Sequence, residues 1–163
     1  MKLGIIIICH NNENDIDIDH CVKYLNKVKD IEICLVNNNS KDKTYNVLME
    51  IKERCENVSI VDIKKFKSDN SAVKAGARFM SSQFNLKYLG FVNSNMIYEY
   101  EDLSMLIKSI RDNQVDISNY NQSFSNKKGI KLTMFQSLFP LMDYLAKTNI
   151  QNECNRLNQL GSY

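Results

Sequence analysis

Three apolar runs in this chain each stop abruptly in a polar cluster, and that repetition constrains the fold more than any other feature. Leu86 to Val92 is the most telling. Tyr88, Leu89, Phe91 and Val92 suit a strand covered on both faces, and Asn93-Ser94-Asn95 follows at once. Ile31 to Val36 runs into Asn37-Asn38-Asn39-Ser40, and Leu3 to Cys9 runs into His10-Asn11-Asn12. Open α/β sheets bind ligands beyond the carboxyl ends of their strands. Three strands pointing the same way would therefore gather these side chains along one edge.

The segments between the runs read as helices. From Asp15 to Val28, the residues Ile18, Cys21, Val22, Leu25 and Val28 recur on one face of a 3.6-residue period. Lys43 to Cys55 carries Val47, Leu48, Ile51 and Cys55 as its stripe, with Ser40 or Asp42 placed to cap it. Val58 to Ile63 is a further strand. A helix from Asp69 or Asn70 to about Gln83 follows, and its small residues Ala72, Ala75, Gly76 and Ala77 permit close approach to a sheet. Glycine inside a helix costs about 1 kcal/mol, so Gly76 implies a packing reason. Beyond Asn95 the spacing predicts a helix over Asp102–Asn113, a short strand over Val115–Tyr120 and a polar loop over Asn121–Lys128. A helix over Lys131–Thr148 is expected next, kinked or broken at Pro140. Strands alternating with helices imply right-handed βαβ units and a mostly parallel sheet with helices on both faces.

Composition narrows the class. The 163 residues suffice for one domain with a real core, and 44% hydrophobic with 25% charged residues is ordinary for a globular protein. A net charge of +2 gives no electrostatic footprint for nucleic acid. Lys64, Lys65 and Lys67 form the densest basic cluster and read as solvated surface. No apolar run approaches transmembrane length, and Leu3–Cys9 is too short for a secretory signal. The five cysteines include no C-x-x-C pair, and an odd number leaves one unpaired, which fits a reducing cytoplasmic setting. His10 and His20 each neighbour a cysteine. Adjacent strand residues point to opposite faces, so no metal site is expected from them. Asparagine is unusually frequent, with Lys and Ile also common, and this looks like codon bias.

Four blocks together carry a resemblance. Ile6 to Glu13 is an apolar run ending in His10-Asn11-Asn12-Glu13, and Leu35 to Thr44 reads Leu-Val-Asn-Asn-Asn-Ser-Lys-Asp-Lys-Thr. Ala72 to Arg78 reads Ala-Val-Lys-Ala-Gly-Ala-Arg, and Leu89 to Asn95 ends in Asn-Ser-Asn. In sequence and spacing these resemble the motifs of family 2 glycosyltransferases over nearly the whole chain. Glu101-Asp102 and Val115-Asp116-Ile117 are similar to the polyprenyl-phosphate sugar transferase branch.

The resemblance implies a Rossmann-like GT-A fold in a single domain, with residues 1–95 as the nucleotide-binding half and 96–163 as a shortened acceptor half. It also implies strand order 3-2-1-4. The ligand would be a UDP- or GDP-sugar, with a sugar passed to an acceptor hydroxyl. Asn37 and Asn38 stand where the family holds base and ribose, and His10 and Asn11 would lie beside the base. Asn93 and Asn95 stand where a D-x-D motif holds Mg²⁺ or Mn²⁺ against the diphosphate.

Both D-x-D carboxylates are asparagine here. Hard divalent cations prefer charged oxygen ligands, and the metal neutralises the leaving diphosphate. A helix dipole contributes only ~0.3–1 kcal/mol, against the ~8 kcal/mol or more that enzymes remove from barriers. Three readings stay open: sugar transfer that is metal-independent or finds its metal elsewhere, a non-catalytic relative that binds a nucleotide or a partner as a regulator or subunit, and an unrelated α/β protein with a nucleotide-binding or interaction role. No general base stands out, and Asp116, Asp143 and Glu153 are candidates only by elimination. Lys67, Lys74 and Arg78 are placed to face a diphosphate or solvent. Phe135, Leu138, Phe139, Leu141, Met142 and Leu145 would give the 131–148 helix an apolar face that closes the core or binds a second copy or another protein.

Overall fold

In a computed structural model, residues 2–28, 30–95, 97, 100, 102–117, 119 and 138–141 are described. Among the described residues, five parallel strands form one sheet: β1 (Lys2–Cys9), β2 (Ile31–Asn38), β3 (Val58–Ile63), β4 (Leu86–Val92) and β5 (Leu138–Pro140). Their order is β3-β2-β1-β4-β5, so the expected 3-2-1-4 order holds and gains a fifth strand. The helices are α1 (Ile18–Leu25), α2 (Thr44–Arg54), α3 (Asp69–Gln83) and α4 (Leu103–Asp112), and a 3₁₀ turn covers Glu13–Asp15.

The continuous apolar runs are strands because both sheet faces are covered. Along β1 the odd residues Leu3, Ile5, Ile7 and Cys9 enter a core with Leu25 of α1, Leu48 and Ile51 of α2, and Leu103, Leu106 and Ile110 of α4. The even residues Ile6 and Ile8 enter a second core with Val36, Ala72, Val73, Ala77 and Met80 under α3. Gly76 has the packing reason its helix position implied. A Cβ there would come within 2.8 Å of Ile6 Cγ2 and 3.1 Å of Val36 Cγ2, so only glycine lets α3 lie this close to the sheet.

Helix ends differ from expectation in detail. Helix α1 begins at Ile18, where the Asp17 side chain accepts from the His20 N–H at 3.0 Å. Ser68, one residue before the expected cap, closes the start of α3 by accepting from the Ser71 N–H. That leaves Asp69 for another task, described below.

Two expected elements are corrected. Residues 114–117 are helical, not a strand: after α4 ends at Asn113, the Ile117 N–H donates to the Asn113 carbonyl at 2.9 Å and closes a separate helical turn. Leu138–Pro140 is strand β5, not part of a helix, and Leu89, Gly90 and Phe91 pair with Leu138, Phe139 and Pro140. Proline is tolerated there because β5 is an edge strand. The Phe139 ring lies over Gly90, where an added Cβ would meet it at 2.9 Å. Phe139 and Leu141 are buried in the α1/α2/α4 core, so they do not form an exposed partner face. The rest of the expected 131–148 helix, the loop 121–128, Asp143 and Glu153 lie outside the described residues.

Candidate functional site

Register decides what the strand ends bring together. Cys9 lies opposite Asn37, and Asn37 lies opposite Asp62 on the next strand. His10 and Asn38 therefore come abreast one step further on. Val92 lies opposite Ile7, so Asn93-Ser94-Asn95 leaves the sheet at the same edge. The structure thus brings His10, Asn11, Asn37, Asn38, Asn93 and Asn95 to one edge, as the three polar clusters imply.

At that edge the chain turns sharply. Asn11 and Asn39 both have positive φ, 53° and 54°. Asparagine enters this left-handed region more readily than most residues, so part of the asparagine richness here serves the backbone. The two turns then clasp each other. Ser40 Oγ accepts from the Asn11 N–H at 3.0 Å, and Asn11 Oδ1 accepts from the Lys41 N–H at 2.8 Å. Thr44 Oγ1 accepts from the buried Asn12 N–H at 2.7 Å. Asp42 accepts from the N–H groups of Glu13 and Thr44, and Glu13 accepts in return from the Lys43 N–H at 2.5 Å. Burial opposes the charge on Asp42, but hydrogen bonds from Thr44 and Glu13 outweigh it and hold the carboxyl below its usual range.

His10 is fixed by the same clasp. Its Nδ1 lies 2.8 Å from the Asn38 carbonyl oxygen, which can only accept, so Nδ1 carries the proton. Asn11 Oδ1 already serves Lys41, so its amide nitrogen faces His10 Nε2 at 3.2 Å. Both ring nitrogens are thus engaged, and what His10 has left to offer is its ring face.

Asn37 and Asn38 point to opposite faces and are both buried, 3% and 0% exposed. Asn38 donates to the Lys67 carbonyl at 2.7 Å and accepts from the Lys67 N–H at 3.0 Å, fastening the loop between β3 and α3. Asn37 donates to Asp62 Oδ1 at 2.8 Å, while its own Oδ1 is buried with no hydrogen-bond partner among the described residues. Asp62 also takes a hydrogen bond from Lys64. Burial resists its charge, yet the bonds from Lys64 and Asn37 and the Lys64 ammonium hold its carboxyl low. Lys64 in turn lies over the Tyr45 ring, 5.5 Å from its centre.

On the other side, Asn93 and Ser94 are half-buried and Asn95 is exposed. Asp69 holds this triplet in place, accepting from the Ser94 N–H at 3.0 Å and the Ser94 hydroxyl at 3.1 Å. Lys74 and Arg78 are on the exposed side of α3. Among the described residues no three His, Cys, Asp or Glu side chains are grouped to hold a metal ion. The triplet offers only neutral amide and hydroxyl oxygens, and the neighbouring Asp69 carboxylate is already engaged by Ser94. This donor set does not fit a resident Mg²⁺ or Mn²⁺.

Two residues at the edge, Asp62 and Phe66, were not singled out from the sequence, and Asp69 was expected only to cap α3. The two acids look like ordinary surface carboxylates until their partners are known. Phe66 had a usable signal, as the lone aromatic among Lys64, Lys65 and Lys67.

Residues 4–156 match the family model described as glycosyl transferase family 2. A poly(ribitol-phosphate) beta-glucosyltransferase of Bacillus spizizenii is 26% identical over 145 residues, covering 88% of this chain and 22% of that protein. The crystal structure of S. aureus TarS 1–349 aligns with a TM-score of 0.45 and 15% identity, covering 70% of this chain and 33% of that one. The same protein in complex with UDP-GlcNAc aligns at 0.41 and 17%, covering 70% and 32%. The chain thus spans about a fifth to a third of the lengths of these relatives.

Proposed function

The chain belongs to glycosyl transferase family 2, and we propose that it binds a nucleotide-sugar at the carboxyl edge of its sheet and passes the sugar to an acceptor hydroxyl without a resident metal. The observation that carries this reading is the convergence of three strand ends: His10 and Asn11 after β1, Asn37 and Asn38 at the end of β2, and Asn93 and Asn95 after β4. His10, Asn11, Asn93 and Asn95 line the edge. Asn37 and Asn38 work from beneath it, through the Asp62 side chain and the Lys67 main chain that they hold. Any second copy or protein partner would sit elsewhere than on Phe139 and Leu141, which are core.

A second reading, nucleotide binding without turnover, is favoured by one specific observation, the absence of a carboxylate from Asn93-Ser94-Asn95. A cytoplasmic setting is part of the proposal. It is supported by the free, buried thiols of Cys9, Cys21, Cys34 and Cys55. No helix among the described residues is long and apolar enough to cross a membrane.

Calorimetric titration of UDP and GDP, each with and without Mn²⁺, separates the readings when paired with an assay for nucleoside diphosphate release from UDP- and GDP-sugars. Metal-independent binding with turnover supports transfer. Binding without turnover supports the second reading. Binding of neither nucleotide under any condition defeats both.

A further inference from the structure

Phe66 is a large apolar side chain left 57% exposed at the functional edge. Its position is imposed from several directions. Asn38 grips both the N–H and the carbonyl of the next residue, Lys67, which fixes the main chain where the Phe66 ring departs. On one side the ring meets His10, with centres 5.0 Å apart and planes inclined at 60°. His10 cannot swing away, because the Asn38 carbonyl and the Asn11 amide hold its two nitrogens. The result is an aromatic ring backed on one side and open to solvent on the other.

Such a ring gains little for the fold, since most of its apolar surface stays in water. It is well suited to a flat aromatic ligand. Every nucleobase has a π-face, and stacking on a protein aromatic does not depend on which base is offered. At 5.0 Å the two rings are too close to admit a base between them, which would need roughly twice the ~3.5 Å contact distance. The base therefore belongs on the open face of Phe66, with His10 limiting the ring's freedom from behind. Holding the ring in its binding position beforehand reduces what binding must spend on ordering. Lys65 and Lys67 flank the same residue in sequence and are exposed, which suits an anionic tail on the ligand.

We propose that the open face of Phe66, backed by His10 and anchored through the Asn38–Lys67 clamp, is the stacking platform for the base of the nucleotide. This rests on the nucleotide reading given above. It assigns Phe66 to affinity, not to the choice of base.

The test uses UDP, GDP and inorganic pyrophosphate, the last having charge but no base. Phe66→Ala should weaken UDP and GDP roughly ten- to a hundredfold and leave pyrophosphate affinity unchanged. Phe66→Tyr should retain nucleotide affinity, and Phe66→Leu, apolar without a π-face, should not. The chain has no tryptophan, so Phe66→Trp adds a single reporter. Its emission should change on adding UDP or GDP and stay constant with pyrophosphate. The ring is mostly exposed, so these variants should keep the wild-type circular dichroism. Wild-type nucleotide affinity in Phe66→Ala overturns the platform alone, as does equal loss of nucleotide and pyrophosphate binding. A wild-type chain that binds neither UDP nor GDP overturns the nucleotide reading and the platform together.

Discussion

Asp69, in the first turn of α3, accepts from both the main-chain N–H and the hydroxyl of Ser94, at 3.0 and 3.1 Å. This contact ties the start of a helix to the middle of Asn93-Ser94-Asn95, the triplet that ends the organising strand. Charged acceptors contribute more than neutral ones. Asp69→Ala should therefore lower stability by about 1–2 kcal/mol in urea unfolding. Ser94→Ala should cost less, because its main-chain N–H still reaches Asp69. Equal losses in the two variants would show that the main-chain bond carries nothing.

Asn37 faces Asp62 across the β2–β3 ladder, donating to it at 2.8 Å. Asn37→Asp would set two carboxylates against each other in a buried place. At neutral pH this should cost roughly 3–5 kcal/mol, the range for an uncompensated buried charge. The sign with pH is definite. Lys64 still compensates Asp62, so the introduced carboxyl takes the raised pKa in the folded state; the folded chain then binds the extra proton and the deficit shrinks as pH falls. Urea midpoints of the variant and wild type between about pH 4 and 8 measure it. A deficit independent of pH would mean the pair is solvated.

Asp42 joins the turns after β1 and β2 by accepting from Glu13 and Thr44. Its folded pKa is lowered despite burial, because those hydrogen bonds prefer the carboxylate. A depressed pKa contributes stability that is present above the unfolded value, near 3.9, and is lost as pH falls through the lower folded one. Asp42→Ala should cost about 1–2 kcal/mol at pH 7 and progressively less in acid, as read from thermal unfolding against pH.

Phe139 lies over Gly90, and this contact seats β5 beside β4. Phe139→Ala should cost about 3 kcal/mol or more, as for other buried aromatic truncations. Gly90→Ala would push a methyl group to 2.9 Å from that ring and should cost about 1–3 kcal/mol. In the double variant the clash is absent, so the combined loss should be smaller than the sum. Strict additivity in denaturant unfolding would mean that the two residues do not touch.

Burial pushes the thiols of Cys9 and Cys34 up to about 12, and raises those of Cys21 and Cys55 as well. The thiolate is the reactive form. Cys9, Cys21 and Cys34 should resist a disulfide exchange reagent at pH 8 in the native protein and react promptly in guanidinium. Rapid native labelling of Cys9, located by peptide mass, would contradict its burial.

The sequence by itself determined the alternation of strand and helix through Leu103–Asp112. It did so because unbroken apolar runs such as Ile5–Cys9 can be buried only between two helical layers, and because the helical stripes repeat at their own period. It also determined that polar clusters would meet at one edge, since parallel strands share a direction. Tertiary structure alone decided the rest. Three residues ending in proline carry too little periodicity to announce a strand, and β5 exists because Phe139 finds Gly90. Residues 114–117 form a helical turn closed by the Ile117 N–H on the Asn113 carbonyl, although Val115 and Ile117 favour strands in isolation. At the edge, adjacent asparagines look alike in sequence. The pleat sends Asn37 to Asp62 and Asn38 to Lys67, on opposite faces. That same pairing to Lys67 is what leaves Phe66 open beside His10, because a side chain's exposure depends on what the main chain around it must satisfy first.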